Sequence, residues 1–289
     1  MSGLLKFLEL IKFSHTLFAL PFALMGAVLG FRQRGPQEMS LYAELLFWVV
    51  VAMAGARTGA MGFNRLVDRR FDAANPRTEA RPSVTGEVST PVMIGMILLS
   101  YGLLVFAASQ LNPLAFYLSP LAIFLVSFYS YTKRFTAWCH LFLGLAIGAS
   151  PIAAWIAITG TLEPAALVLG ASVMAWISGF DILYALQDRE FDQSAGLHSI
   201  PVALGVRASL ITAKGLHLIA ALAWFALAYL LQLGWPFWAG AVLASLLLAL
   251  EHGLVQGGKL GKINLAFFNL NAVISALLFF ALLLEGWVG

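Results

Sequence analysis

The sequence predicts an all-α polytopic membrane protein, with about nine transmembrane helices in one bundle and a cytoplasmic N-terminus. Three observations predict it. Of 289 residues, 61% are hydrophobic and only 11% are Asp, Glu, Lys or Arg, against about 25% charged in a typical soluble domain. One soluble core cannot hide that much apolar surface, whereas a bilayer can. Apolar stretches of roughly the 20 residues needed to cross a membrane recur along the chain. The loops between them carry their basic residues on alternate sides.

The first stretch, 14–32, begins too late, is too polar at its start and lacks a small-residue cleavage site. It therefore reads as a span rather than a removable signal peptide. The second, 41–66, runs into the longest polar stretch of the chain, 65–90. Spans at 91–110, 113–132 and 139–159 follow across short connections. The sixth, 163–187, ends in a second polar stretch, 188–209. Three more, 209–231, 235–252 and 267–286, complete a single transmembrane domain over 1–289 with no soluble domain attached.

Charge placement sets the expected topology. The net charge is only +3, but nearly all Lys and Arg lie in the N-terminal segment or near the loops after spans two, four, six and eight. The opposite loops hold Arg32 and Arg34, and Arg57 lies inside the second span. The positive-inside rule then puts both long polar stretches in the cytoplasm and the C-terminus outside. No basic run is dense enough for nucleic acid. The single cysteine, Cys139, excludes an internal disulfide framework and a cysteine-based metal site.

The two polar stretches resemble each other. One contains Asp68-Arg69-Arg70-Phe71-Asp72 and the other Asp188-Arg189-Glu190-Phe191-Asp192, each at the cytoplasmic end of a span and four spans apart. Such a pattern is that of an internal duplication in which each half brings one acidic helix end to a shared centre. Residues four apart lie on one helix face, so Asn64, Asp68 and Asp72 form an oxygen-bearing stripe with Arg57 two turns deeper. Asp181, Tyr184, Asp188 and Asp192 form its counterpart, with Asp181 roughly 10 Å deeper than Asp188 at 1.5 Å per residue.

Carboxylates and a side-chain amide suit Mg²⁺, which is usually shared between protein carboxylates and substrate phosphates. Four aspartates repel a diphosphate directly, and Mg²⁺ between them reverses that. Arg69, Arg70, Arg77, Arg81, Lys133 and Arg134 are placed to take the remaining phosphate oxygens. The plain alternative for each motif is a set of solvated, mutually paired charges at a helix end. An ionisable group within a span points to function, so Asp181 stands out, with an ion pair to Arg57 as its structural alternative. His15, His140 and His198 read as interfacial hydrogen-bonding groups. Asn269 and Asn271 read either as inter-helix glue or as pocket residues.

Taken together these motifs resemble the UbiA superfamily of intramembrane prenyltransferases. Asn64, Asp68 and Asp72 match its N-x-x-x-D-x-x-x-D signature, followed by Asn75-Pro76-Arg77-Thr78 and Arg81-Pro82. Asp188 and Asp192 match its D-x-x-x-D, preceded by Asp181 and Tyr184-Ala185, and Tyr129-Ser130-Tyr131-Thr132-Lys133-Arg134 resembles its aromatic-then-basic loop. The similarity spans nearly the whole chain. Phe63-Asn64-Arg65-Leu66 and Gly179-Phe180-Asp181 are similar to the 4-hydroxybenzoate polyprenyltransferase group, which includes enzymes of menaquinone synthesis through futalosine. Arg65 in place of an acidic residue, and His140, lean toward the menaquinone type.

The resemblance implies Mg²⁺, a polyprenyl diphosphate donor and an aromatic acid acceptor in quinone biosynthesis, at a site on the cytoplasmic side of the inner membrane. It implies metal ligation by Asn64, Asp68, Asp72, Asp188 and Asp192. Catalysis would fall to Asp68, Asp181 and Asp188, and substrate binding to Arg57, Asn64, Arg77, Arg81, Lys133, Arg134 and Tyr184. An ion-coupled transporter using the acidic helix ends is the alternative from another class. Broken half-helices at mid-membrane favour a transporter, whereas these acids lie at helix ends.

Overall fold

The computed structural model describes residues 16–36, 38–255 and 269–288, and the ordered elements among them are all helical. They are α1 (Thr16–Arg34), α2 (Met39–Val67), α3 (Arg69–Ala74), α4 (Pro82–Thr85), α5 (Thr90–Leu111), α6 (Pro113–Thr132), α7 (Cys139–Thr159), α8 (Pro164–Ala185), α9 (Arg189–Ser194), α10 (Ile200–Leu230), α11 (Trp235–Val255) and α12 (Asn271–Val288). A single 3₁₀ turn, Leu186–Asp188, joins α8 to α9.

Among the described residues, seven helices are long and apolar enough to cross a membrane: α2, α5, α6, α7, α10, α11 and the α8–α9 unit. The first and last expected spans coincide with α1 and α12 over most of their length. Their starts, 14–15 and 267–268, lie outside the described residues, as does His15. The other span positions agree with the apolar runs.

Local chemistry sets the helix ends. Asn112 caps α6 by accepting from Ala115 N at 2.9 Å, ahead of Pro113, whose missing N–H costs nothing in a first turn. Its amide also donates to Ile156 O and Ala157 O at 2.8 and 3.0 Å, so one side chain ties the start of α6 to the end of α7. Inside α10 the backbone breaks at Gly205, with φ 76° and ψ 176°. That conformation favours glycine. The break separates an interfacial turn from the membrane helix proper, which is why the apolar run begins later than the helix does.

Helices α1, α7, α8, α10, α11 and α12 each pack on the next, and α12 returns to α1. Helices α2, α5 and α6 pack together and join this ring through α7. Phe22, Trp155, Trp176, Trp224 and Phe237 fill its core and are fully buried. Leu98, Leu99, Leu222 and Leu246 are exposed on the outside, as lipid-facing residues must be. Backbones approach closely where small residues meet: a Cβ on Gly148 of α7 would lie 2.6 Å from Gly170 O of α8.

A polar network crosses the ring. Asn271 accepts from Trp176 Nε1 at 2.8 Å and donates to Glu251 Oε1 at 2.9 Å. His252 Nε2 lies 2.9 Å from His217 Nδ1, and His217 Nε2 lies 3.2 Å from Trp176 O. Asn271 is therefore inter-helix glue joining α8, α11 and α12, while Asn269 is exposed.

Candidate active site

The acidic stripes are not continuous helix, contrary to the straight spacing read from the sequence. Helix α2 ends at Val67, and Asp68 adopts φ −88° and ψ 4° before α3 resumes. Asp188 adopts φ −97° and ψ 1° before α9 resumes. The two D-R-x-F-D segments thus share one backbone turn, so the repeat exists in structure as well as in sequence.

Cations bring the two turns together. Arg77, from the loop after the first motif, forms a fork to the second: its Nε and one terminal nitrogen donate to the Asp188 oxygens at 2.9 and 2.7 Å. Its other terminal nitrogen donates to Tyr184 Oη at 3.0 Å. Lys133 Nζ lies 2.7 Å from Asp192 Oδ1. The adjacent Arg134 donates to Asp68 Oδ1 at 3.1 Å and to Val67 O at 2.8 Å. Asp72 lies 2.6 Å from Arg81 and 3.8 Å from Arg65. Asn64 donates to Asp68 Oδ2 at 2.8 Å and to Ser130 Oγ at 3.4 Å. The α6–α7 loop is thus wedged between the two motifs.

These pairs set the charge states of the loops. Burial pushes the Asp68 carboxyl above the usual range against the pull of Arg134. Burial alone would lower the Lys133 ammonium, but Asp192 beside it more than offsets this and holds it above the ordinary value. The same balance, with Asp188 as partner, raises Arg77.

The donor set fits a hard cation in chemistry. Asp72 Oδ2 and Asp192 Oδ2 are buried and accept no hydrogen bond, while Asp192 Oδ1 faces the Lys133 ammonium. Lone pairs of this kind suit an oxygen-seeking ion. Among the described residues no three His, Cys, Asp or Glu side chains are gathered as a ready-made metal cluster. The carboxylates are instead shared out among the cations.

Asp181 has a partner that the sequence reading missed. Its Oδ2 lies 2.6 Å from His140 Nδ1, so the ion pair with Arg57 is not the one it forms. His140 is therefore more than an interfacial group. Its position at the start of α7, one helix away from Asp181, was the available signal. Arg65, read only as a departure from the family pattern, is buried and reaches Asn64 Oδ1 at 3.3 Å. Arg69 donates to Thr90 and Arg189 to the Pro201 carbonyl, and neither is paired with a motif aspartate. Arg70 is exposed.

Arg57 is half-buried in α2, next to Ala56. Ala56 lines a cavity of about 220 Å³ between α2, α5, α6 and α7, whose walls include Met53, Leu104, Leu125 and Ala149. Apart from Ser119 and Ser150 its lining is apolar. It leads from the level of Arg57 away from the acidic turns.

Comparison with known proteins bears on the fold and the family. The UbiA prenyltransferase family profile matches residues 19–283. A 4-hydroxybenzoate octaprenyltransferase of Alcanivorax borkumensis is 33% identical over 77% of this chain and 76% of its own length. One from Methylobacillus flagellatus is 34% identical over 73% and 71%. Among solved structures, the apo form of a UbiA homolog from Aeropyrum pernix superposes with a TM-score of 0.84 at 28% identity, over 94% of this chain and 98% of that one. A UbiA homolog from Archaeoglobus fulgidus bound to DMAPP and Mg²⁺ shares the fold, with a TM-score of 0.75 at 20% identity over 98% and 100%.

Proposed function

The chain belongs to the UbiA prenyltransferase family, and from that premise we propose that it transfers a polyprenyl group from polyprenyl diphosphate to an aromatic acceptor of the hydroxybenzoate or hydroxynaphthoate type. The reaction would serve quinone biosynthesis, with the acidic turns at the cytoplasmic side of the inner membrane. The observation that carries the reading is the fork from Arg77 to Asp188, which ties the loop after the first acidic turn to the second. The names of the relatives support the same chemistry.

Asn64, Asp68, Asp72, Asp188 and Asp192 would hold Mg²⁺, which when bound neutralises the charge developing on a departing diphosphate. Arg77, Arg81, Lys133 and Arg134 now pair with these aspartates. They would turn to the phosphate oxygens as substrate enters, Arg in a bidentate manner. The cavity would receive the isoprenoid tail and exclude water, which would otherwise intercept an allylic cation. Arg57 and Tyr184 would orient the acceptor, and Asp181 would assist loss of its proton.

The test is incubation of the purified protein with Mg²⁺, a polyprenyl diphosphate and a panel of phenolic and naphthoic acids, with products identified by mass spectrometry. A prenylated acid that disappears on chelation is the expected result. Absence of any prenylated product from folded protein across the panel would overturn the proposal.

A further inference from the structure

His140 is held by three contacts from two helices, α8 and α10. Its side chain is 2% exposed, and its Nδ1 lies 2.6 Å from Asp181 Oδ2. Its Nε2 accepts from Ile200 N at 3.4 Å, at the start of α10. Its backbone carbonyl accepts from Ser178 Oγ of α8 at 3.1 Å. An imidazole nitrogen that accepts a backbone N–H carries no proton, so the proton sits on Nδ1 and is donated to the carboxylate. Asp181 itself is 26% exposed, and its Oδ1 has no partner among the described residues. The pair therefore has a fixed, buried end and an open one.

We propose that His140 is a positioning residue: by donating Nδ1–H to Asp181 Oδ2 it aims the other carboxylate oxygen, Oδ1, at the proton that leaves an aromatic ring on prenylation. The inference rests on the prenyl-transfer reading above. In the step, a ring carbon ortho to a hydroxyl forms a bond to C1 of the prenyl group. The C1–O bond breaks with its electron pair going to the diphosphate. The ring proton then passes to Asp181 Oδ1, and the C–H electron pair restores aromaticity. His140 keeps its proton throughout. Its role is to fix the carboxylate rotamer and the oxygen presented, as orienting partners of catalytic carboxylates and imidazoles do elsewhere.

The probes are geranyl diphosphate and 4-hydroxybenzoate, unlabelled or deuterated at both carbons ortho to the hydroxyl, with the full-length protein and Mg²⁺. His140→Leu should lower kcat by at least about tenfold, leave the KM for geranyl diphosphate within about twofold, and introduce a primary isotope effect larger than that of the wild type. His140→Asn, whose Nδ2 stands where the His Nδ1 does, should recover most of the rate. The double variant His140→Leu/Asp181→Asn should be no slower than Asp181→Asn alone, because both changes disable one device. If His140→Leu does not fold, His140→Gln takes its place, since its donor lies one bond too far to reach Asp181 in the same way. An unchanged kcat, a loss confined to KM, an Asn variant as slow as the Leu variant, or additive losses in the double variant would each overturn the inference. Should the wild type prenylate neither this acceptor nor any other of the panel, the parent reading falls instead, and this inference with it.

Discussion

Each motif aspartate already has a cation beside it: Asp68 has Arg134, Asp72 has Arg81 and Arg65, Asp188 has Arg77 and Asp192 has Lys133. The pairs balance charge at two helix ends that each carry two carboxylates. They also make each aspartate hard to replace, since removing one leaves a cation such as the buried Arg65 uncompensated. Asp68→Asn or Asp188→Asn should lower the transfer rate by at least about tenfold, because loss of one ligand charge is worth more than about 1.4 kcal/mol in the transition state. Steady-state kinetics over a Mg²⁺ titration measure it, and full activity of either variant in excess chelator would remove the metal from the mechanism. Arg77→Lys should also slow the enzyme, since an ammonium cannot reproduce the fork to Asp188. Its signature is a raised KM for the diphosphate rather than a fall in kcat alone.

Helix-level packing decides whether those residues meet at all. Helix α7 carries His140 and α8 carries Asp181, and the 2.6 Å separation of the two side chains depends on how closely the helices approach. Gly144, Gly148 and Gly170 permit that approach. A Cβ on Gly144 would meet Met174 O at 2.5 Å, backbone that has no room to give. Gly148→Leu should therefore push α7 from α8, lower the thermal midpoint and weaken transfer together. A variant with wild-type stability and rate would show that the contact is slack. On the far side of α8, Asn271 satisfies both the Trp176 indole and Glu251. Asn271→Leu leaves both without that partner in a fully buried position, at a cost of about 1–3 kcal/mol for each unsatisfied group, read as a drop in detergent-solution stability. An unchanged midpoint would mean that the network adds nothing to the bundle.

At the scale of the whole molecule, basic residues concentrate at the end that carries the acidic turns, while Arg32, Arg34 and Glu285 lie at the other end. The α2–α5 and α8–α10 connections and the α6–α7 loop all carry basic residues and all converge on the acidic turns. The cavity runs the other way, into the apolar body. A cytoplasmic site is expected from this distribution. Single cysteines at Glu79 and Ser194, both exposed, in a Cys139→Ala background should react with an impermeant thiol reagent only from the cytoplasmic side. Reaction only from outside would invert the topology.

The sequence by itself determined that this chain lives in a bilayer and where its helices run. Composition and apolar run length act locally: a span must be apolar along its own length, whatever it packs against. The repeat of D-R-x-F-D was legible for the same reason, as was Asn64 on the first motif. Three things only the tertiary structure decided. The helix is interrupted at Asp68 and at Asp188, because helical spacing in the sequence does not register a departure of φ and ψ at a single residue. The partner of Asp181 is His140, 41 positions away in sequence, and not Arg57. The cations divide themselves among the aspartates across separations as large as that of Arg77 from Asp188, 111 residues. Helical spacing places residues along one helix, but a hydrogen bond between helices depends on their rotation and approach, which glycines and buried polar contacts far from the motif set.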